Sequence, residues 1–461
     1  MGGLLTSLNT SSLALEAFTR ALGVSQQNIA NASTSGYAAQ RASIQPIGDL
    51  GFTGGADVVT LSSTGSARAD ALVQSASTQL SATQTTVAQL TPINQLFDIT
   101  GSAGILAALQ NFSTAFSSLS VAPNDSTLRA TALGAAGGVA SAFQQTAATL
   151  DHLGVNLNSD IQSAASQINT LASQIAGLNR QAASGGKGNA GADASIRSDL
   201  DQLSTLVDIN VTKEADGSIS VLAGGTLPLV LGSQSYTLSA DPHAAPGAQV
   251  TSSAGGSAPV VFSGRFGALL STQNTVVSPL QGTSTSAGSL NTLASGFASR
   301  VNALLESGTT ATGAPGGQLF SFDTINPSNA ARNLTVISSF TPDQLALASS
   351  GAAGQSNGIA NQLAALPGSS SAADLINGFS AQGLFSSIAS GIGRQLATAT
   401  TQSTADQTAL TSAQAERTQQ SGVSLDNEAV NVVNLQSAYQ AAAKIVSIID
   451  QLTSDEVNLI K

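Results

Sequence analysis

The amino-acid sequence predicts a mainly α-helical protein of several domains, with a β-rich insertion that makes the whole chain α+β. Three patterns lead to this prediction. Apolar residues recur every seven positions near both ends, the same spacing continues over long inner stretches, and apolar and polar residues alternate in the middle. Seven-residue spacing places side chains on one stripe of a helix, whereas alternation places them on one face of a strand. The chain is therefore expected to begin and end as helices, with its β structure between them.

The two ends are predicted to form one pair of helices. Each apolar stripe has no core of its own and must be buried against another helix. We therefore expect residues 1–36 and 422–461 to pair as a coiled coil and to form an inner core domain. The assembly interface is predicted at Leu8, Leu15, Phe18, Leu22 and Ile29 of the first helix, and at Leu425, Val432, Leu435, Tyr439, Val446 and Ile449 of the last.

Residues 37–205, together with residues 372–421, are predicted to form a long, rod-like helical domain. One heptad pattern runs over residues 73–90, and we expect its helix to end at Pro92. Over residues 125–183 the pattern predicts one helix, or two in tandem interrupted by three glycines near the start. A single helix of that length would extend roughly 90 Å.

Residues 206–371 are predicted to form an outer, β-rich insertion. Ile209 and Val211 alternate with polar residues, and Asp216-Gly217 is a turn signal between two such strands. Helical spacing returns near residues 264–306, so the insertion is expected to contain one helix there.

The composition excludes several classes of partner. The chain has 461 residues, a formal net charge of -11 and a pI of about 4.4, which argues against a nucleic-acid partner because phosphates require a basic surface. No segment offers the roughly 18 apolar residues of a membrane span, so no membrane insertion is expected. Only 9% of residues are charged, which suits a subunit that packs against others, although an alanine-rich lineage would give the same numbers.

No catalytic, cofactor-binding or metal-binding residue is predicted. The chain lacks cysteine, which excludes disulfides and zinc–thiolate sites. Its two histidines are His152, which follows Asp151 on a predicted helix, and His243, which is expected in a loop. Neither has a plausible nucleophile or second histidine nearby in sequence. We therefore predict that the chain is not an enzyme and takes no cofactor.

The stretch "QNIANASTSGYAAQRASI" at residues 27–44 predicts the end of the first helix and a turn. Asn28 and Asn31 lie in the last helical turn, and Gly36 can take the positive φ that ends helices. Tyr37 follows as an anchor, and the chain then becomes extended. These four residues are predicted to shape the turn that leaves the inner core.

This stretch resembles the amino-terminal signature of the bacterial flagellar axial proteins, which form the rod, the hook and the hook-associated segments. In that family it reads N-N-I-A-N-x-x-T-x-G-Y, and here Gln27 replaces the first Asn. Residues 421–452, "SGVSLDNEAVNVVNLQSAYQAAAKIVSIIDQL", are similar to one group of the family, the hook–filament junction proteins. The resemblance is strong at both termini, moderate over residues 37–221, and weak over residues 222–370.

The resemblance implies a structural subunit that connects the hook to the filament. Such proteins leave the cytoplasm through the flagellar type III apparatus and reside in the extracellular flagellum. Their terminal helices are expected to be disordered until neighbouring subunits bury them. The implied partners are further copies of the chain in a ring, the hook protein, the second junction protein (hook-associated protein 3) and an export chaperone.

Three alternatives stay open on the sequence. A hook or distal-rod subunit carries similar termini, but a hook subunit would show more β pattern directly after its opening turn. An unrelated exported coiled-coil protein would share the heptads but not the paired terminal motifs. An exported enzyme, such as a flagellar peptidoglycan hydrolase, would need a carboxylate in a cleft with a shifted pKa, and the sequence offers no candidate.

Overall fold

The fold is described from a computed structural model of the chain. It describes residues 2–34, 36–46, 56–185, 190–242, 244, 248–255, 261–283, 285–349 and 357–459. Over these residues eleven α-helices follow one another: α1 (Gly2–Ala30), α2 (Ala67–Leu96), α3 (Gly104–Val121), α4 (Ser126–Gly185), α5 (Ala190–Leu206), α6 (Gly264–Thr272), α7 (Ser278–Gln281), α8 (Ser289–Glu306), α9 (Gly358–Ala365), α10 (Ala381–Ser421) and α11 (Leu425–Leu459).

The strands are short and pair antiparallel. Over the same ranges they are β1 (Gln40–Pro46), β2 (Ala56–Ser63), β3 (Ile209–Lys213), β4 (Ile219–Ala223), β5 (Leu227–Leu231), β6 (Gln234–Ser235), β7 (Leu238–Asp241), β8 (Gln249–Ser252), β9 (Gly282–Thr283), β10 (Ser286–Ala287), β11 (Gly308–Thr309), β12 (Phe320–Ser321), β13 (Thr335–Val336) and β14 (Ala348–Ser349). The largest sheet has the order β3-β4-β5-β6. The other strands pair as β1–β2, β7–β8, β9–β10, β11–β14 and β12–β13.

The long helical domain is built around α4, which is a single helix of 60 residues. At 1.5 Å per residue it extends about 90 Å. The three glycines near its start do not interrupt it, so the tandem alternative is wrong. Packing decides the matter, because Ala132, Ala136 and Val139 on the same turns are fully buried. Helix formation at these turns removes apolar surface from water, which outweighs the roughly 1 kcal/mol cost of each glycine.

The predicted end of the second helix at Pro92 is wrong, because α2 continues to Leu96. A proline inside a helix removes one backbone hydrogen bond and costs about 3 kcal/mol. Ile93 and Phe97 follow it and are 1% and 2% exposed. Burying two such side chains returns roughly 1.5–3 kcal/mol each, so the helix gains by carrying them into the core.

The predicted helix near residues 264–306 is also wrong as a single element. The structure divides this stretch into α6, a π-helical turn at Gln273–Val277, α7, the β9–β10 pair and α8. Gly282 has a φ of +81°, which ends α7. A Cβ at Gly282 would lie 2.2 Å from the backbone nitrogen of Gly288, so only glycine fits this tight reversal.

The β structure is anchored on α4 by amide side chains. Asn179 donates from Nδ2 to the carbonyl oxygens of Ile219 (2.8 Å) and Gly232 (2.6 Å). Asn169 pairs with the backbone of Leu238, accepting its N–H at 2.7 Å and donating to its carbonyl oxygen at 2.9 Å. These bonds satisfy strand groups that face the helix. The apolar core is continuous across the predicted boundary at residue 206, so the insertion packs as part of the helical domain.

Two long helix pairs are antiparallel, and they give the chain its out-and-back course. α10 packs along α2, with Phe97 at the end of α2 against Phe385 at the start of α10 (ring centroids 5.7 Å apart). α1 packs along α11, with Asn28 near the end of α1 bonded to Glu428 near the start of α11. The start of α1 and the end of α11 therefore lie at the same end of the terminal helix pair.

Candidate assembly interface

Asn28 connects the first helix, the turn after it and the last helix. Its Nδ2 donates to the carbonyl oxygen of Gln40 and to Oε1 of Glu428, both at 2.9 Å. Its Oδ1 accepts from the Tyr37 hydroxyl and from the Gln40 backbone N–H, again at 2.9 Å. Asn28 is 1% exposed, and these four bonds use the whole capacity of its amide group. A different side chain of this size would leave buried groups unpaired.

Asn31 and Gly36 shape the turn by local means. Asn31 donates from Nδ2 to the carbonyl oxygen of Gln27 and accepts from the Thr34 hydroxyl at Oδ1, which caps the end of α1. Gly36 has a φ of +74°. A Cβ there would lie 2.5 Å from the carbonyl oxygen of Ala194. The turn is therefore pressed directly against α5, and both backbone conformation and space require glycine.

Tyr37 anchors the turn through its hydroxyl rather than through its ring alone. Burial raises the pKa of this hydroxyl above 10.0, and the nearby Glu428 carboxylate raises it further. The protonated hydroxyl is the form that donates to Asn28. The pKa shift and the hydrogen bond therefore favour the same state.

The predicted interface residues of α1 lie beside the most buried face of the helix and not on it. Among the residues of α1 whose burial the structure describes, the buried apolar ones are Ala17, Ala21 and Val24. Leu8, Leu15, Phe18 and Leu22 are half-buried. Ile29 is 40% exposed.

On α11 the predicted residues divide into two sets. Ile449 is buried, and Val432, Leu435 and Val446 are half-buried, on the same face as the buried Ala442. Leu425 and Tyr439 are 54% and 42% exposed. Whether either set contacts a neighbouring subunit stays a prediction.

α11 carries a second apolar face that the seven-residue rows missed. At 100° per residue its members lie within an arc of about 120°, separate from the face that Ala442 and Ile449 share. Each of them is half-exposed or more: Val430 (59%), Val433 (61%), Ile445 (50%), Ile448 (52%) and Leu452 (51%). The three- and four-residue spacing of 445, 448 and 452 is the signal that could have identified this face.

The residues that the sequence analysis considered and rejected for catalysis are placed as follows. Asp151 accepts from Arg332 at 2.7 Å and from Gln281 at 3.0 Å. His152 is exposed on α4, and His243 lies outside the described residues. No group of three or more His, Cys, Asp or Glu that could hold a metal occurs among the residues that the structure describes. Within the same ranges no helix is long and apolar enough to cross a membrane.

Glu428 and Arg129 are structural residues whose contacts the sequence did not reveal. Because Glu428 lies near the start of α11, its charge is expected to interact favourably with the helix dipole. Its carboxylate also accepts from Asn28, which is 400 residues away in sequence. Arg129 is 4% exposed and donates to the carbonyl oxygens of Pro123, Pro342 and Leu345. Burial lowers the pKa of the Arg129 guanidinium below its ordinary value. A single sequence gives no signal for such distant partners.

A family model described as "Flagellar hook-associated protein FlgK helical domain" matches residues 90–320, which is half of the chain. The chain belongs to this family. A second model, described as "Flagellar basal body rod FlgEFG protein C-terminal", matches residues 414–459. The resemblance found in the terminal motifs is therefore confirmed. FlgK-family proteins are structural components of the flagellum, so the prediction that the chain is not an enzyme is confirmed as well.

Two similar proteins match larger parts of the chain than the family models do. "Flagellar hook-associated protein 1" of Bacillus subtilis (strain 168) is 26% identical over 503 residues, which cover 98% of this chain and 97% of the relative. A solved structure, "The structure of the flagellar hook junction protein FlgK from Burkholderia pseudomallei", matches with a TM-score of 0.64 at 17% identity. The match covers 76% of this chain and 99% of that one. It confirms the mainly α-helical fold with a β-rich insertion.

Proposed function

We propose that this FlgK-family chain forms the junction between the flagellar hook and the filament as a ring of identical subunits. The two apolar faces of α11 carry the proposal. α1 covers the face that includes Leu435, Ala442 and Ile449, whereas Ile445 and Ile448 on the second face stay half-exposed. The large side chains near the carboxyl end of this face lie on adjacent turns, and an exposed apolar patch of this kind marks an interaction site. Neighbouring copies offer the same helices, so a closed ring would bury the face in every subunit.

The proposal includes the route and the partners of the subunit. Names of the relatives place them at the hook and its junction. We infer that this chain is exported through the flagellar type III apparatus and resides in the extracellular flagellum. Its neighbours would be the hook protein on one side and the second junction protein, hook-associated protein 3, on the other. A cytoplasmic export chaperone would cover the exposed face of α11 before export.

Electron microscopy of cells that lack the protein, with an assay for flagellin in the medium, tests the position in the flagellum. Bare hooks together with flagellin lost to the medium are the expected result. Normal filaments on these cells would overturn the proposal.

A hook or distal-rod subunit is the second candidate function. The match of residues 414–459 to the carboxyl-terminal model of rod and hook proteins favours it. The same micrographs separate the two functions, because loss of a rod or hook subunit would remove the hook itself.

Point substitutions test the interface. Leu22→Asp, Val446→Asp and Ile448→Asp should each give a soluble, folded chain that does not restore filaments, because a charge cannot be buried between subunits. Val155→Asp is the matched control, since Val155 is 66% exposed on α4, away from the terminal helices. Filaments of normal number on an Ile448→Asp strain would contradict the proposed interface.

A further inference from the structure

The joint between the terminal helices and the long helical domain consists of residues 36–39, residues 63–64 and the last turn of α10. The backbone N–H of Ala39 donates to the carbonyl oxygen of Ser421 at 3.0 Å, and the N–H of Thr64 donates to that of Ala39 at 2.8 Å. The N–H of Gly422 closes the last turn of α10 onto Thr418 at 2.9 Å. One backbone bond, from Ala39 to Ser421, therefore joins the two segments that enter and leave the terminal pair, and the other two bonds brace its ends.

The second half of α10 reaches this joint almost without apolar support. The buried residues of α10 include Phe385, Ile392 and Ala399, but beyond Ala399 they are only Asp406 and Ser421 within the described helix. Apolar contacts are not directional, and they fix the position of a helix through a filled core. Where that core is missing, the position must depend on polar contacts.

An ion cluster of four side chains supplies such contacts at the joint. Nη1 of Arg417 lies 2.7 Å from Oδ2 of Asp201 and 3.8 Å from Oδ1 of Asp70. Nε of Arg197 lies 3.3 Å from Oδ2 of Asp70. The four side chains are 16–25% exposed. Two positive and two negative groups balance, and partial burial strengthens the attraction within each pair. Burial also has a cost, because at Asp70 it outweighs the two arginines and raises the pKa of the carboxyl.

Arg197 extends the ion cluster into the turn. Its Nη1 donates to the carbonyl oxygen of Gly36 at 3.1 Å, and its Nη2 donates to Oγ of Ser63 at 3.3 Å. One planar guanidinium thus contacts α2, the turn after α1 and the end of β2. Such a fork of fixed N–H groups sets directions as well as distances.

We propose that Asp70, Arg197, Asp201 and Arg417 are positioning residues that set the direction in which the terminal helix pair leaves the long helical domain. α10 continues into α11 through residues 422–424, so an anchored end of α10 fixes where α11 begins. In a ring, the same direction in every subunit places each exposed α11 face against its neighbour. This last step rests on the proposed function, whereas the anchoring of the joint does not.

Amide hydrogen exchange of the full-length chain tests the anchoring. Arg417→Gln should speed exchange of the Ala39, Thr64 and Gly422 amides at least tenfold, because it leaves two carboxylates near one arginine. Core amides of α3 should exchange at the wild-type rate. Arg417→Lys keeps the charge and should recover part of the protection. Arg332→Gln, which breaks the Asp151 pair elsewhere, is the matched control and should change none of the joint amides.

Three results would overturn the anchoring. They are unchanged joint exchange in Arg417→Gln, equally faster exchange in α3, and no recovery with lysine. Shearing of cells tests the consequence in the flagellum, and cells with Arg417→Gln should lose filaments at lower shear than cells with Arg332→Gln. Equal retention by the two strains, with a loosened joint, would overturn the positioning role in assembly. A failure of the junction proposal would be visible separately, as normal filaments in the deletion strain.

Discussion

The contact between α3 and α4 buries its largest side chains, whereas the contact between α1 and α11 buries mainly small ones. In the first, the largest side chains are inside: Phe112 and Phe116 of α3 are 0% exposed. In the second, the best-buried apolar residues of α1 among those whose burial is described are Ala17 and Ala21, while the larger apolar side chains are half-buried or exposed. The first contact is complete within one chain. The contact between α1 and α11 leaves most of its large apolar side chains partly exposed to water.

The largest effect is expected from a substitution that disrupts the contact between α3 and α4. Phe116→Ala should lower the free energy of unfolding by about 3–5 kcal/mol, because it leaves a cavity where the ring packed on Phe112 (centroids 4.4 Å apart). The matched change Ile448→Ala should alter the unfolding of the free chain by less than about 0.5 kcal/mol. Urea titrations of the two variants measure both values. Similar losses in both would contradict the comparison.

The next effect concerns Asn28, whose amide group uses its whole hydrogen-bonding capacity. Asn28→Asp removes two donors and adds a carboxylate beside Glu428, which should cost about 1–3 kcal/mol locally. The substitution keeps the Oδ1 acceptor of the Gln40 N–H, but repulsion from Glu428 should open the turn, so exchange of the Gln40 amide should become faster. Asn31→Asp serves as control, since Asn31 bonds only within its own turn among the described contacts. Equal exchange in the two variants would count against the Asn28 network.

A smaller effect depends on pH. Tyr37→Phe removes one buried hydrogen bond and should cost about 0.5–1.5 kcal/mol at neutral pH. The pKa of Tyr37 is raised in the folded chain, so its contribution is complete below pH 10 and decreases as pH rises through the folded value. Denaturation of wild type and Tyr37→Phe from pH 7 upward measures the difference. A difference that grows above pH 10 would show the opposite sign.

The smallest expected effect concerns the charge of one carboxyl group within the helical domain. Burial raises the pKa of Asp199 on α5 above 3.8, so the charged carboxylate opposes folding at neutral pH. Asp199→Asn should therefore stabilise the chain slightly at pH 7, by less than about 0.5 kcal/mol. The gain should disappear below about pH 4, where the wild-type carboxyl is protonated in both states. Thermal unfolding at pH 7 and pH 3 measures it, and stabilisation confined to pH 3 would contradict the sign.

Much of the fold follows from periodicity, because seven-residue spacing identifies the long helices and alternation identifies β3 and β4. Periodicity failed at Pro92 and near residues 264–306, where tertiary packing or a glycine turn overrides the local pattern. The family motif turn could be located from sequence, but its chemistry could not. The role of Asn28 depends on its contact with Glu428, and the role of Arg197 depends on its contact with Asp70. A single sequence does not show which distant residues contact each other.

The bond between Asn28 and Glu428 also orders events in time. A ribosome adds about 5–20 residues per second, so the 400 residues between the two partners take roughly 20–80 s to make. For that interval the first helix exists without the acceptor that completes its amide. A chain truncated anywhere before residue 428 can never close the bond. The contact thus distinguishes a finished subunit from an unfinished one, by chemistry that only the full length supplies.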